Sequence, residues 1–365
     1  MGPSKKLSVC VLLVALLVSI SAEQQEITCR DEQGNPVDWF VLYKLPRLHQ
    51  SPLAEVKLGL AYVFFTSSSP RTGWTLGSFT VNDTRSPPGQ TLRPLYAPGN
   101  ADLLSVLYND QPPDVPVSFT HGHTKGVVFA GQGQGVWLVH SVPHFPPNPK
   151  TSGYGYPATG EHYGQSMLCV TLPTGQMDPV GTQLTYNHPF VYASTLPQNL
   201  VSAMPELANA ARGAHTSRPP YFRKVDIKSV RGQKFTSFAK TSDFRKDLYA
   251  DWVSAELQAS LMVESWPNGP GRLPPSCNMN FKVVDVLGLN IRVDGESVAE
   301  FKDQEDHSKW AIQYPGTTSW TCVGDINRME SQKERAGGTV CLNLMKVWSA
   351  FKEAVVSTEK CGAAA

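Results

Sequence analysis

Apolar residues follow two rhythms along the chain, and each rhythm predicts a different element. Short unbroken apolar runs, bounded by Gly, Pro and polar residues, point to strands buried on both faces. Residues 38–43, 59–66 and 103–108 are of this kind. Residues 127–130 and 136–139 flank Gly131-Gln132-Gly133-Gln134-Gly135 and read as a hairpin. Those glycines lack dinucleotide-loop or P-loop spacing, so they mark a turn and not a phosphate cradle. Residues 143–149 are too rich in proline to continue a strand. A slower, helical spacing appears at 196–212 around Leu200, Met204 and Leu207, where Pro205 is expected to kink or split the helix. The spacing of Leu248, Trp252, Leu257 and Leu261 predicts an amphipathic helix over 243–261. A C-terminal helix is predicted over 342–355. Strands and helices together indicate an α/β, mixed α+β class, with a weakly marked seam near 190–220.

The first residues have another logic. Lys5 and Lys6 precede an apolar run over 7–20, followed by the small residues Ser21 and Ala22. That order predicts a cleaved secretory signal peptide over 1–22. No later stretch approaches the about 18 apolar residues of a membrane span, so no membrane partner is expected. The cysteines agree with export. Past the leader there are six: Cys29, Cys169, Cys277, Cys322, Cys341 and Cys361. An even count in an exported chain suggests three disulfides. No Cys-x-x-Cys pair is present, which disfavours a zinc ribbon or redox dithiol. Asn82-Asp83-Thr84 is an N-glycosylation sequon in a turn-rich stretch.

The 41% hydrophobic and 17% charged composition excludes a disordered chain. Without the leader there are 30 basic and 31 acidic residues, and protonating all nine His moves the net charge from −1 to +8. Such a chain is near neutral at pH 7 and cationic in acid, where it would attract polyanions.

Two segments carry candidate chemistry: His121-Gly122-His123-Thr124-Lys125-Gly126 and Asp306-His307-Ser308-Lys309-Trp310. Each contains His-x-Lys. On a strand, residues i and i+2 share a face and lie roughly 6.5–7 Å apart, so His and Lys would enter one cleft together. Nine His and 18 Lys would give about 0.4 such matches by chance. Trp137 follows Lys125 and leads to His140-Ser141; Trp320 follows Lys309 and leads to Gly324-Asp325-Ile326-Asn327. Two similar blocks read as an internal duplication.

This pattern resembles the phospholipase D-like superfamily, whose halves each carry His-x-Lys. The chain further resembles the deoxyribonuclease II family at 36–40, 107–113, 122–127, 137–143, 305–310 and 321–325. The resemblance implies a pseudo-twofold duplication with two central mixed sheets flanked by helices. Its halves would be 23–200, with His123 and Lys125, and 201–365, with His307 and Lys309. It implies a lysosomal or secreted acid endonuclease that needs no cofactor or metal, cuts double-stranded DNA and leaves 3′-phosphate and 5′-hydroxyl ends. Assembly as a homodimer is left open. The disulfides carried over are Cys29–Cys169, Cys277–Cys361 and Cys322–Cys341. His123 would be the nucleophile and His307 the general acid, with the exchanged roles equally open. The superfamily's Asp five residues after the Lys is absent: Ala130 and Tyr314 stand there. Another group must orient each imidazole. His140, Ser141, Asp325 and Asn327 are candidates by position, and Asp306 is disfavoured because adjacent strand residues point to opposite faces.

The residues alone support similar chemistry. A neutral imidazole can attack phosphorus, a protonated one can donate to the leaving oxygen, and two ammonium groups can neutralise the phosphate oxygens. No His-Glu-x-x-His or similar metal signature occurs. His121 would share a face with His123 or sit in an exposed loop. Lys240, Arg245 and Lys246, beside Phe238 and Phe244, read as a solvated helix face. Two alternatives remain: a secreted nuclease-fold binding or toxic factor, and a phosphodiesterase acting on non-DNA substrates.

Overall fold

A computed structural model describes residues 26–361 except 71, 72 and 315. The signal peptide expected over 1–22 lies outside the described residues. The unbroken apolar runs are strands covered on both sides. Trp39–Lys44 is buried at every position. Trp39, Val41 and Tyr43 enter one core while Phe40 and Leu42 enter another, as strand alternation requires.

Two large sheets result. The first runs in the order Val191–Thr195, Leu104–Asn109, Lys125–Ala130, Gln134–His140, Gln165–Pro173, Trp39–Lys44, Tyr62–Thr66 and Thr75–Leu76, antiparallel throughout. The second runs Phe222–Lys228, Lys234–Lys240, Gly337–Asn343, Trp320–Gly324, Trp310–Gln313, Leu261–Glu264, Val283–Val293 and Glu296–Lys302. Val355–Thr358 adds to Val283–Val293, and only Leu261–Glu264 pairs in parallel with Val283–Val293. Trp320–Gly324 of the second sheet lies against Gln134–His140 and Gln165–Pro173 of the first.

The inner faces of both sheets share one core with the helices Met177–Asn187, Pro205–Ala211 and Met345–Ala354. The helix Pro87–Tyr96 covers the outer face of the first sheet through Leu92 and Leu95. Tyr249, Trp252, Val253 and Leu257 cover the outer face of the second. The two sheets thus form a layered body whose central strands approach one another.

Pro205 does split the predicted helix, giving Gln198–Ala203 and Pro205–Ala211. Pro205 opens the second helix, where its missing N–H is not needed. The long helix over 243–261 does not form. The segment is a 3-10 turn Ser242–Phe244, a π turn Tyr249–Val253 and a short helix Ser254–Leu257. The chain then enters the strand Leu261–Glu264. Its apolar spacing is genuine, since Leu248, Trp252, Leu257 and Leu261 are all buried together. The wider π turn, closed by Val253 N–H to the Leu248 carbonyl at 3.0 Å, serves that burial. The C-terminal helix is Met345–Ala354, because Leu342 and Asn343 still belong to the strand Gly337–Asn343.

The disulfides are Cys29–Cys169, Cys277–Cys361 and Cys322–Cys341. Cys322 and Cys341 are cross-strand partners, 19 residues apart in sequence. Replacing both by Ala frees that loop in the unfolded chain. Stability should fall by about 3 kcal/mol, read from the denaturant midpoint. An unchanged midpoint would show that the bond contributes nothing.

Candidate active site

The strand Lys125–Ala130 sits between Leu104–Asn109 and Gln134–His140; Trp310–Gln313 sits between Leu261–Glu264 and Trp320–Gly324. The two His-x-Lys segments therefore occupy equivalent places in the two sheets. They are not within the strands, as expected from sequence, but at their entrances. Lys125 is the first strand residue, Lys309 directly precedes a strand, and His123 and His307 lie in the leading loops.

Each histidine is held by the opposite sheet. His123 donates its backbone N–H to the Ala336 carbonyl at 2.8 Å, and its Nδ1 faces the Asp325 carbonyl at 2.6 Å. His307 donates its backbone N–H to the Gly164 carbonyl at 2.9 Å. Its Nδ1 faces the Ser141 carbonyl at 3.1 Å and Gln165 Oε1 at 3.2 Å. A carbonyl can only accept, so Nδ1 carries the hydrogen and Nε2 the lone pair in each neutral ring. Backbone carbonyls thus fix the orientation of both rings.

Of the four proposed orienting residues, Ser141 and Asp325 reach the histidines, through main-chain oxygens. His140 and Asn327 do not. His140 Nδ1 accepts from Val142 N–H at 3.2 Å, and the ring packs on Phe145. Burial and then Lys125 push His140 down to about 3, so it stays neutral. Asn327 is buried with its Oδ1 unpartnered. Asp306 turns away from His307 and accepts from the Tyr43 and Ser308 hydroxyls. The Asp325 carboxylate accepts from Thr124 Oγ1 at 2.7 Å and the Lys125 N–H at 3.3 Å. Burial raises it to about 7, against these donors.

Sequence reasoning missed Asp110, Gln165, Trp266 and Arg335. Lys125 is buried and pairs with Asp110, which also accepts from Arg335 Nη2 at 3.3 Å. Burial would raise Asp110, but Lys125, His123 and Arg335 hold it down to about 2. Lys309 Nζ donates to the His307 carbonyl at 2.6 Å. Ser141 Oγ donates to Gln165 Oε1 at 2.6 Å, fixing that amide against His307. Trp266 meets the His307 ring edge-on at 5.1 Å. No spacing in the sequence joins these residues to the motifs; Asp110 alone lies in a segment that carries the resemblance, 107–113. Lys240 corrects another reading. It is buried, not solvated, and its Nζ caps the carbonyls of Gln332, Lys333 and Arg335, steadying the loop that holds His123.

The crossed anchors bring the two motifs together, and each imidazole feels the lysines of both. Burial depresses His123 well below the imidazole range, and both Lys125 and Lys309 add to it. Burial and then Lys309, Lys125 and His123 depress His307 likewise. Burial and Lys125 lower Lys309. Gly122 lets the loop before His123 pass between the end of the helix Met177–Asn187 and the Ala336 loop: a Cβ there would fall 1.8 Å from the Asn187 carbonyl oxygen and 2.9 Å from that of Ala336. Among the described residues, no cluster of three His, Cys, Asp or Glu is arranged to hold a metal, and no helix is long and apolar enough to cross a membrane. The arrangement gathers two imidazole lone pairs, two buried lysines and a guanidinium around the crossed anchors. It suits an anionic substrate with a transferable group.

Comparison with known proteins agrees. A protein-family model described as Deoxyribonuclease II matches residues 28–361. The chain is 40% identical to rat deoxyribonuclease-2-alpha over 353 residues, covering 96% of this chain and 98% of that protein. It is 34% identical to Caenorhabditis elegans deoxyribonuclease-2 over 380 residues, covering 97% and 98%. It is 35% identical to plancitoxin-1 of Acanthaster planci over 363 residues, covering 98% and 99%.

Proposed function

The chain belongs to the deoxyribonuclease II family, and from that premise we propose that it is an acid endodeoxyribonuclease cutting double-stranded DNA without metal to 3′-phosphate and 5′-hydroxyl ends. The observation that carries this reading is the crossed anchoring of His123 and His307, each fixed through Nδ1 by a carbonyl of the other sheet. We read 23–200 and 201–365 as the two duplicated halves, because strands up to Thr195 build the first sheet and strands from Phe222 build the second.

In the mechanism we adopt, His123 Nε2 attacks phosphorus. The P–O5′ bond breaks as protonated His307 gives its Nε2 proton to the departing 5′-oxygen. Lys125, Lys309 and Arg335 offset charge on the non-bridging oxygens. His307, now neutral, takes a proton from water as that water attacks the phosphorus and the N–P bond breaks. His123 regains its lone pair and the product ends in a 3′-phosphate. The exchanged assignment uses the same atoms. The intact set of four motif residues argues against a binding or toxic factor that has lost catalysis. The leader-like segment and disulfides fit a lysosomal or secreted protein, and exposed Asn82 fits a glycan.

The pH dependence follows in sign. The donor must be protonated, yet burial and the lysines depress both imidazoles, so the working form fills only as pH falls. Activity should rise from pH 7 into mild acid, then fall once the nucleophile is also protonated. Plasmid nicking in EDTA across pH 4 to 8 tests both points. Absolute dependence on added magnesium, or an alkaline optimum, would sink the proposal.

A further inference from the structure

Beside His123, outside the catalytic set, lies a ladder of three imidazoles. His121 and His188 have ring centroids 4.7 Å apart, and His188 stacks on His215 at 4.3 Å with planes 28° apart. Phe190 closes the inner end, edge-on to His121 at 5.0 Å. The ladder is tied to the site: Gly122 N–H donates to the His188 carbonyl at 2.8 Å. It begins two residues from His123 and leads outward, since His121 and His188 are half-buried and His215 is exposed.

Stacked in contact, the three rings oppose one another's protonation unless an anion lies beside them. Among the described residues, no carboxylate pairs with any of these rings. The charged neighbours are Arg335, whose Nε donates to the His121 carbonyl at 3.0 Å, and Asp110, already engaged by Lys125 and Arg335. The local partners are uncharged: Ser118 Oγ lies 2.6 Å from His121 Nδ1, and the Gly213 carbonyl 3.3 Å from His215 Nδ1. His188 makes no side-chain hydrogen bond among the described residues. It caps the C-terminus of the helix Met177–Asn187, where the helix dipole favours a cation.

We propose that His121, His188 and His215 form a second, acid-charged phosphate-binding subsite that grips the DNA backbone next to the scissile phosphate. The inference rests on the nuclease reading above and deepens it. Burial, then the neighbouring cations, lower His121, and burial with its two ring neighbours holds His188 to about 4. In the free ladder His121 and His188 therefore resist protonation, because like charges in contact oppose one another. A phosphate laid across the ring edges reverses that balance. DNA binding then takes up protons, and affinity rises as pH falls. At about 3.4 Å of rise per nucleotide, the two ring steps reach over roughly two nucleotides. The enzyme would thus be acid-dependent in substrate binding as well as in chemistry.

The test uses the full chain carrying His188→Asn with His215→Gln. Asn tolerates the left-handed backbone of His188, at φ 46. Exposed, distant His49→Gln serves as the control. KM for duplex DNA should rise about 10-fold at pH 5 and little at pH 7, with kcat within about 2-fold and the salt slope reduced by about 1 to 2. Anisotropy with a fluorescent duplex should show the same pH-dependent loss, with less proton uptake on binding. KM and anisotropy equal to wild type at pH 5, or weakened equally at both pH values, would overturn the subsite. A wild-type protein that binds duplex DNA but never cuts it would instead overturn the nuclease reading, leaving the anisotropy comparison to judge the ladder.

Discussion

His307→Ala is expected to lower kcat on duplex DNA by about 10²- to 10⁴-fold while leaving the protein folded. The imidazole is half-buried and its anchors are main-chain oxygens and Gln165, so truncation strips no structural partner of charge. What disappears is the Nε2 proton for the leaving oxygen. His123→Ala should cost at least as much, since the covalent step vanishes with it. The lysines separate charge from geometry. Lys309→Ala removes a buried lysine whose charge acts on both histidines. Lys309→Arg should retain more activity than Lys309→Ala, because the charge survives in a bulkier, planar form. Initial rates at pH 5, with circular dichroism to confirm folding, decide the matter. A correctly folded His307→Ala that cuts DNA at the wild-type rate would dismantle the paired-motif mechanism.

The sequence displayed the proposed reacting groups more clearly than the groups that hold them. His-x-Lys repeats with a following Trp were visible because the proposed chemistry would constrain residue type and a duplication would constrain spacing. The strands 39–43 and 127–139 were legible because burial on two faces leaves unbroken apolar runs. The helix over 243–261 was misread for the same reason that it looked convincing. Its apolar spacing records which side chains meet Phe238 and Cys341 in the outer core, and a π turn followed by a strand meets them as well as a helix would. The anchors of the imidazoles were out of reach in a different way. Main-chain carbonyls at Asp325, Ser141, Gly164 and Ala336 are available from any residue type, so side-chain identity carries no trace of them. Position alone pointed to Ser141 and Asp325, whose main-chain oxygens meet the imidazoles, and equally to His140 and Asn327, which do not. Gln165 and Arg335 come from segments that reach the site only through the packing of one sheet on the other.

Asp110 shows how much of the site depends on such an unmarked residue, and it supports the second large prediction. Lys125 is 3% exposed and Asp110 4%, so their ion pair has little access to water. Removing one partner leaves a buried charge uncompensated, which typically costs 3–5 kcal/mol or roughly that. Arg335, the other partner of Asp110, is more exposed at 18% and can turn to solvent; Lys125 cannot. Asp110→Leu is therefore expected to destabilise the fold by about 3–5 kcal/mol, read from the denaturant midpoint. Adding Lys125→Met should restore most of that stability without restoring activity, since the pair's charges are then both gone but the phosphate loses an ammonium. The pH window follows from the depressed carboxyl. With a folded value of about 2 against an unfolded value near about 3.9, the pair's contribution is complete above pH about 4 and fades as pH drops towards 2. The mild acid in which the enzyme should work thus lies above the range where this pair loosens. If Asp110→Leu unfolds at the wild-type midpoint, or if the double variant is as unstable as the single one, Lys125 is not held by Asp110 in the way the structure indicates.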